Sequence, residues 1–81
     1  MNRIEITIEI EEGLHTRPAG LIAELFDELE GKMITKRGEA KLSSMLSLMT
    51  LGVRQGETVI VETPYALSPE IQSKLRLILG G

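Results

Sequence analysis

His15 is the only histidine in the 81 residues of this chain, and Arg17 and Pro18 follow it closely. A neutral imidazole is a good nucleophile near neutral pH and, once phosphorylated on nitrogen, a good leaving group, which suits reversible phosphoryl transfer. Arginine can hold a transferring phosphoryl group in a planar fork that lysine cannot reproduce. Both residues lie where an alternating apolar pattern gives way to a helical one. A helix start offers an anion free backbone N–H groups and the positive end of the helix dipole. An isolated histidine at such a place is more often a cap or an inert surface residue, and Arg17 and Pro18 are separately unremarkable as a solvated charge and a helix start. Their coincidence within Gly13-Leu14-His15-Thr16-Arg17-Pro18-Ala19-Gly20 points to phosphate chemistry on the imidazole.

The flanking sequence must supply the junction. Ile4, Ile6, Ile8 and Ile10 alternate with Glu5, Thr7, Glu9 and Glu11, a period of two that predicts a strand with one buried face. From Pro18 onward Leu21, Ile22, Leu25, Phe26 and Leu29 mark one face of a helix, with Glu24, Asp27, Glu28 and Glu30 on the other. Gly31 is the expected residue after its last turn.

Lys32–Lys36 and Glu39–Leu42 bracket Arg37-Gly38, which reads as a hairpin turn. Ser43 to Gly52 has a serine, an apolar run and a closing glycine, the pattern of a capped helix of about two turns. Met45, Leu46, Leu48, Met49 and Leu51 are more apolar side chains than one face of so short a helix can bury, so some of them are expected on the surface, while Leu48 and Leu51 suit the core. Gln55-Gly56 is a turn before the β-branched strand Thr58–Glu62, with Val59 and Val61 inward. Pro64-Tyr65 ends that strand. Ser68-Pro69-Glu70 gives an N-cap, a first-turn proline and an acid at the positive helix end. Ile71, Leu75, Ile78 and Leu79 form the last buried stripe before Gly80-Gly81. The order β-α-β-β-α-β-α predicts one α+β domain over 1–81, an antiparallel sheet with all helices on one face.

Hydrophobic residues make up 42% and charged ones 26% of the chain, a globular composition rather than a disordered one. Phe26 and Tyr65 are the only aromatics, so Ile, Leu, Val and Met must fill the core. The chain has no cysteine, which excludes disulfides, thiolate chemistry and cysteine-ligated zinc. No apolar run approaches the length of about 20 residues that a bilayer requires, and the start has no signal-peptide pattern, so a cytoplasmic protein without membrane insertion is expected. The net charge of −3 and scattered basic residues argue against nucleic-acid binding. No nucleotide-binding G-x-x-x-x-G-K-[ST] loop and no motif-placed metal ligands occur, so neither cofactor nor metal is expected.

Gly13-Leu14-His15-Thr16-Arg17-Pro18-Ala19 resembles the active-site signature of HPr, the histidine-containing phosphocarrier family of the bacterial phosphoenolpyruvate-dependent sugar phosphotransferase system. Ser43-Ser44-Met45-Leu46 through Gly56 is similar to that family's regulatory-serine helix and turn. The resemblance covers essentially the whole chain and implies an HPr-like open-faced sandwich, with a four-stranded antiparallel sheet and three helices on one face. It implies that His15 takes phosphate at Nδ1 from enzyme I and gives it to IIA domains in sugar uptake. Arg17 would contact the phosphoryl group, and the backbone N–H groups of Thr16 and Arg17 would cap it. Ser44 falls on the serine that an HPr kinase/phosphorylase modifies, although it also serves as a plain N-cap. Gly20, Met45, Leu46 and Met49 fall on the partner-docking surface of a monomer.

The chain departs from the family in charge: Ser43 and Ser47 stand where basic residues are common, and Glu24 and Asp27 lie on the first helix. Steering toward an acidic enzyme I should be weaker. Two other functions compete with a carrier. One is an HPr-like regulatory module that docks on metabolic or transcriptional partners. The other, with least support, is a small hydrolase using His15 as a general base.

Overall fold

The structure is a computed structural model that describes residues 1–80. It runs β1 (Asn2–Thr7), α1 (Thr16–Leu25), β2 (Lys32–Thr35), β3 (Gly38–Lys41), α2 (Met45–Thr50), β4 (Thr58–Thr63) and α3 (Pro69–Leu79). The sheet has four antiparallel strands in the order β1-β4-β2-β3. β4, the last strand made, therefore fills the gap between β1 and β2. Its Val59-Ile60-Val61 run suits that central place, where β-branched side chains pack against neighbours on both sides.

Pairing runs from Asn2↔Thr63 to Thr7↔Thr58 on one flank and through Met33↔Val61 on the other. This register puts Ile6, Met33, Ala40, Val59 and Val61 on one buried face. Ala19, Ile22 and Phe26 of the α1 region, Leu48 of α2, and Leu75 and Leu79 of α3 close over it. The α+β open sandwich expected from the element order is what the chain forms. Among the described residues no helix is long and apolar enough to cross a membrane.

Three local expectations need correction. α1 begins at Thr16, so Pro18 sits inside the first turn rather than opening it. The helix ends at Leu25, and tighter turns carry the chain on through Asp27 N–H to Glu24 and Leu29 N–H to Phe26. Gly31 is consequently not a helix terminator. A Cβ there would stand 2.6 Å from Leu42 Cδ1, 3.0 Å from Thr63 Cγ2 and 3.3 Å from Glu62 O, so a larger residue would have to displace the buried Leu42 side chain. The hairpin turn falls on Lys36-Arg37, since Gly38 already pairs with Thr35 at a φ of 140°.

The ends of the elements are fixed by polar contacts. Ser68 Oγ accepts from Ile71 N–H at 3.2 Å ahead of Pro69, and Gly80 closes α3 at φ 78°. Glu9 and Ile10 N–H both donate to Leu79 O, at 2.9 and 3.3 Å, which fastens the chain after β1 to the end of α3.

Glu62 is buried on the outer side of β4 and accepts from Arg3 Nε at 2.6 Å, with Lys32 Nζ at 3.6 Å. Burial pushes its carboxyl up, but the Arg3 hydrogen bond and charge, with Lys32, reverse this and hold it below the usual value of 4.5. Glu57 is also held low, first by the Arg54 N–H and then by the Arg37 hydrogen bond. Both carboxyls take up protons more readily in the unfolded chain, so their contribution is complete above the unfolded value and lost as pH falls through the folded one. Urea midpoints measured from pH 6 to pH 3 should therefore be level above about 5 and decline below it. Glu62→Gln should start lower at pH 6 and decline less steeply.

Candidate functional site

The histidine loop begins where β1 runs out. Gly13 turns the chain at φ 71°, and Leu14 is buried behind it and donates its N–H to Val53 O at 3.0 Å. A Cβ on Gly13 would lie 2.5 Å from that same carbonyl oxygen and 3.0 Å from Arg54 Cα. Glycine serves two needs here, a left-handed backbone and contact with a neighbouring chain.

His15 then occupies the N-cap position of α1 in an extended conformation, exposed and without capping the helix through its side chain. Its carbonyl accepts from Ala19 N–H at 2.9 Å, the first bond of the helix. Pro18 has no N–H, and those of Thr16 and Arg17 find no acceptor among the described residues. Two backbone donors and the helix dipole thus converge beside the imidazole. Thr16 Oγ1 lies 3.3 Å from His15 Nδ1. With the hydroxyl as donor, the ring proton resides on Nε2 and Nδ1 keeps its lone pair. Arg17 is exposed and forms no ion pair among the described residues. Pro18 and Ala19 are buried and hold the turn against the core.

α2 packs beside α1. Ser44 caps it, its Oγ accepting from Ser47 N–H at 3.2 Å and donating to Ser47 Oγ at 3.0 Å. Leu48 and Leu51 are buried as the pattern requires, whereas Met45 is 37% and Leu46 71% exposed and Met49 is half-buried. Gly20 lets the helices approach, since a Cβ there would stand 3.3 Å from Met45 Sδ. Leu21 departs from the buried stripe assigned to it and is 42% exposed. The signal was available: with Arg17 and Glu24 it follows the helix's solvent-facing spacing. Leu21, Met45 and Leu46 give the α1–α2 surface an apolar character that solvent-facing helices ordinarily avoid.

The other candidate features lie elsewhere. A concavity of about 750 Å³ is lined by Asp27, Glu30, Lys32, Lys41 and Glu62 among others, at the far end of the sheet from His15. His15 lines neither it nor the concavity of about 320 Å³ near Thr35 and Glu57. No His, Asp or Glu cluster among the described residues has the grouping of a metal site. The site is a surface, not a pocket. Sequence reasoning missed Arg37, which donates to Leu51 O at 2.7 Å, Gly52 O at 3.1 Å and Glu57 Oε1 at 2.6 Å. Nothing in a hairpin arginine's neighbours signals these distant carbonyls.

Residues 2–66 match the family described as PTS HPr component phosphorylation site. The chain is 24% identical over 82 aligned positions to the phosphocarrier protein HPr of Mycoplasma pneumoniae, covering 98% of this chain and 93% of that protein. It is 30% identical over 79 positions to the multiphosphoryl transfer protein of Xanthomonas campestris pv. campestris, covering 95% of this chain but 9% of that much longer protein. The crystal structure of HPr-C-His from Thermoanaerobacter tengcongensis superimposes with a TM-score of 0.82 at 24% identity, over 99% of this chain and 92% of that one.

The crowding at Gly13 can be measured directly. Gly13→Ala should cost about 1–3 kcal/mol in urea unfolding, because the methyl group meets Val53 O and the backbone is left-handed. Gly52→Ala, with φ 63° but open space around it, should cost less.

Proposed function

The chain belongs to the HPr phosphocarrier family of the phosphotransferase system, and from that premise we propose that it carries phosphate on His15 between two proteins. His15 Nδ1 attacks phosphorus on a phosphohistidine of enzyme I; the donor's N–P bond breaks as the new one forms, and the reverse sequence delivers the group to a IIA histidine. The observation that carries this reading is the exposed imidazole beside the free N–H groups of Thr16 and Arg17. Those donors and the Arg17 guanidinium suit a dianionic phosphoryl group without enclosing it. A carrier has to present its cargo to two partners, which an open helix end permits.

Docking falls to the adjoining apolar surface. Gly20, Met45, Leu46 and Met49 form it together with Leu21, and adaptable methionine suits a surface that meets more than one partner. Ser44 is read as the regulatory serine. A phosphate there would add negative charge beside this surface and repel an acidic partner. The reading includes a monomeric cytoplasmic protein working without a cofactor. Kinship with a multiphosphoryl transfer protein is compatible with service in a longer phosphoryl chain.

Charge supports a second reading on partner choice. α2 carries no charged residue, and Glu24 and Asp27 stand on and just after α1. A regulatory module that docks on metabolic or transcriptional partners is favoured where enzyme I depends on cationic steering.

Incubation with phosphoenolpyruvate and the organism's own enzyme I separates the two. The carrier reading expects one acid-labile, base-stable phosphate, absent from His15→Ala. An unlabelled wild-type chain would rule it out and leave the docking module. Ser44→Asp should slow labelling of His15 while preserving the circular dichroism spectrum; an unchanged rate would remove Ser44 from regulation.

A further inference from the structure

A second arginine has its backbone against the histidine loop. Arg54 is exposed, and its Cα is 3.0 Å from the place where a Cβ of Gly13 would stand. The backbones of residues 13 and 54 are thus in contact two positions before His15. The adjoining hydrogen bond from Leu14 N–H to Val53 O fixes this juxtaposition.

The nearest obvious counter-ion for Arg54 is Glu57, and its carboxylate is already engaged. Glu57 Oε2 accepts from the backbone N–H of Arg54 at 2.6 Å, and Oε1 accepts from Arg37 Nη2 at 2.6 Å. Arg37 also donates to Leu51 O and Gly52 O, tying the hairpin to the segment that bears Arg54. The Arg54 backbone is fixed while its side chain forms no ion pair among the described residues. Glu11 and Glu12, just ahead of Gly13, are likewise outside ion-pairing distance of it. An arginine with a held backbone and an unclaimed fork, its Cα against the loop two residues before His15, is disposed to take an anion bound there.

We propose that Arg54 is a second phosphoryl-binding arginine, closing on the phosphate of His15 from the side opposite the α1 N-terminus and Arg17, with the Arg37–Glu57 pair keeping it unengaged. The proposal rests on His15 being the phosphate carrier. It adds a specificity element that α1 alone does not contain: the dianionic group is bracketed by two guanidinium groups carried on separate segments. It also gives Arg37 a positioning role, since without it Glu57 is available to Arg54.

Potassium phosphoramidate provides a partner-free test on the full-length chain: its P–N bond breaks, a P–N bond to the imidazole forms, and ammonia leaves. The phosphoryl group is then titrated by ³¹P NMR. A neighbouring cation favours the dianion, so Arg54→Ala should raise the phosphoryl pKa by about 0.5, and Arg54→Lys should restore part of the difference. Arg37→Ala should move it in the same direction as Glu57 turns to Arg54. In the unaltered chain the Arg54 Nε–H resonance should shift on phosphorylation. A phosphoryl pKa unchanged in Arg54→Ala but raised in Arg17→Ala would overturn the proposal, as would a static Arg54 resonance. Failure of the unaltered chain to take phosphate on His15 would instead strike the carrier reading on which the proposal rests. Arg54 is exposed, and an unchanged circular dichroism spectrum confirms that its variants fold.

Discussion

One long-range backbone hydrogen bond, from Leu14 N–H to Val53 O, joins residues 13–15 to the rest of the molecule. The other backbone bonds of residues 13–15 are local, to Ile10, between Gly13 and His15, and into the first turn of α1. That single long-range bond forms only because Gly13 has no side chain to hold the segments apart. On the far side, Val53 is buried and its segment is gripped by Arg37 and Glu57. The position of the imidazole therefore depends on a contact between two loops, neither of which belongs to a regular element.

The same arrangement explains why the site is open. Most of the apolar side chains lie between sheet and helices, so the helix N-terminus at His15 projects past the core rather than into it. Backbone donors exposed to water bind an anion less tightly than donors in a closed pocket, because water competes for them. For the phosphoryl carrier proposed above, which must release what it accepts, moderate binding is suited to the task. Exposure of Leu21, Met45 and Leu46 fits that proposal, since a protein that covered them would exclude water from the neighbourhood of the histidine.

Charge is distributed in two ways across the molecule. Arg3, Lys32 and Glu62 form a paired row on the open side of the sheet, where they neutralise one another and contribute to stability. Arg17 and Arg54, near the histidine, have no ion-pair partner among the described residues. The first group is bound up in the fold, whereas the second is available to a ligand. Along α1 the sign changes at Glu24, so the cationic end is local to the site and does not extend over the apolar surface of Leu21, Met45 and Leu46. Long-range electrostatic steering from such a surface is weak.

The sequence alone was sufficient for the order of the elements and for singling out His15 as the candidate reacting side chain. Alternating isoleucines mark β1, although the strand stops at Thr7 before Ile8 and Ile10; β-branched residues mark β4, and Ser44 and Ser68 start α2 and α3 by local hydrogen bonds that need no distant partner. The motif around His15 was legible because a helix start and its dipole are properties of a few consecutive residues. Tertiary structure alone decided the rest. The crowding at Gly31 arises from the Leu42 and Thr63 side chains, and the grip of Arg37 from carbonyls many residues away. Periodicity reports which face of an element is apolar, but not what stands opposite it. Gly13 through Gly20 could be recognised as a place where phosphate chemistry can occur; only the folded chain brings Val53 and Arg54 against it.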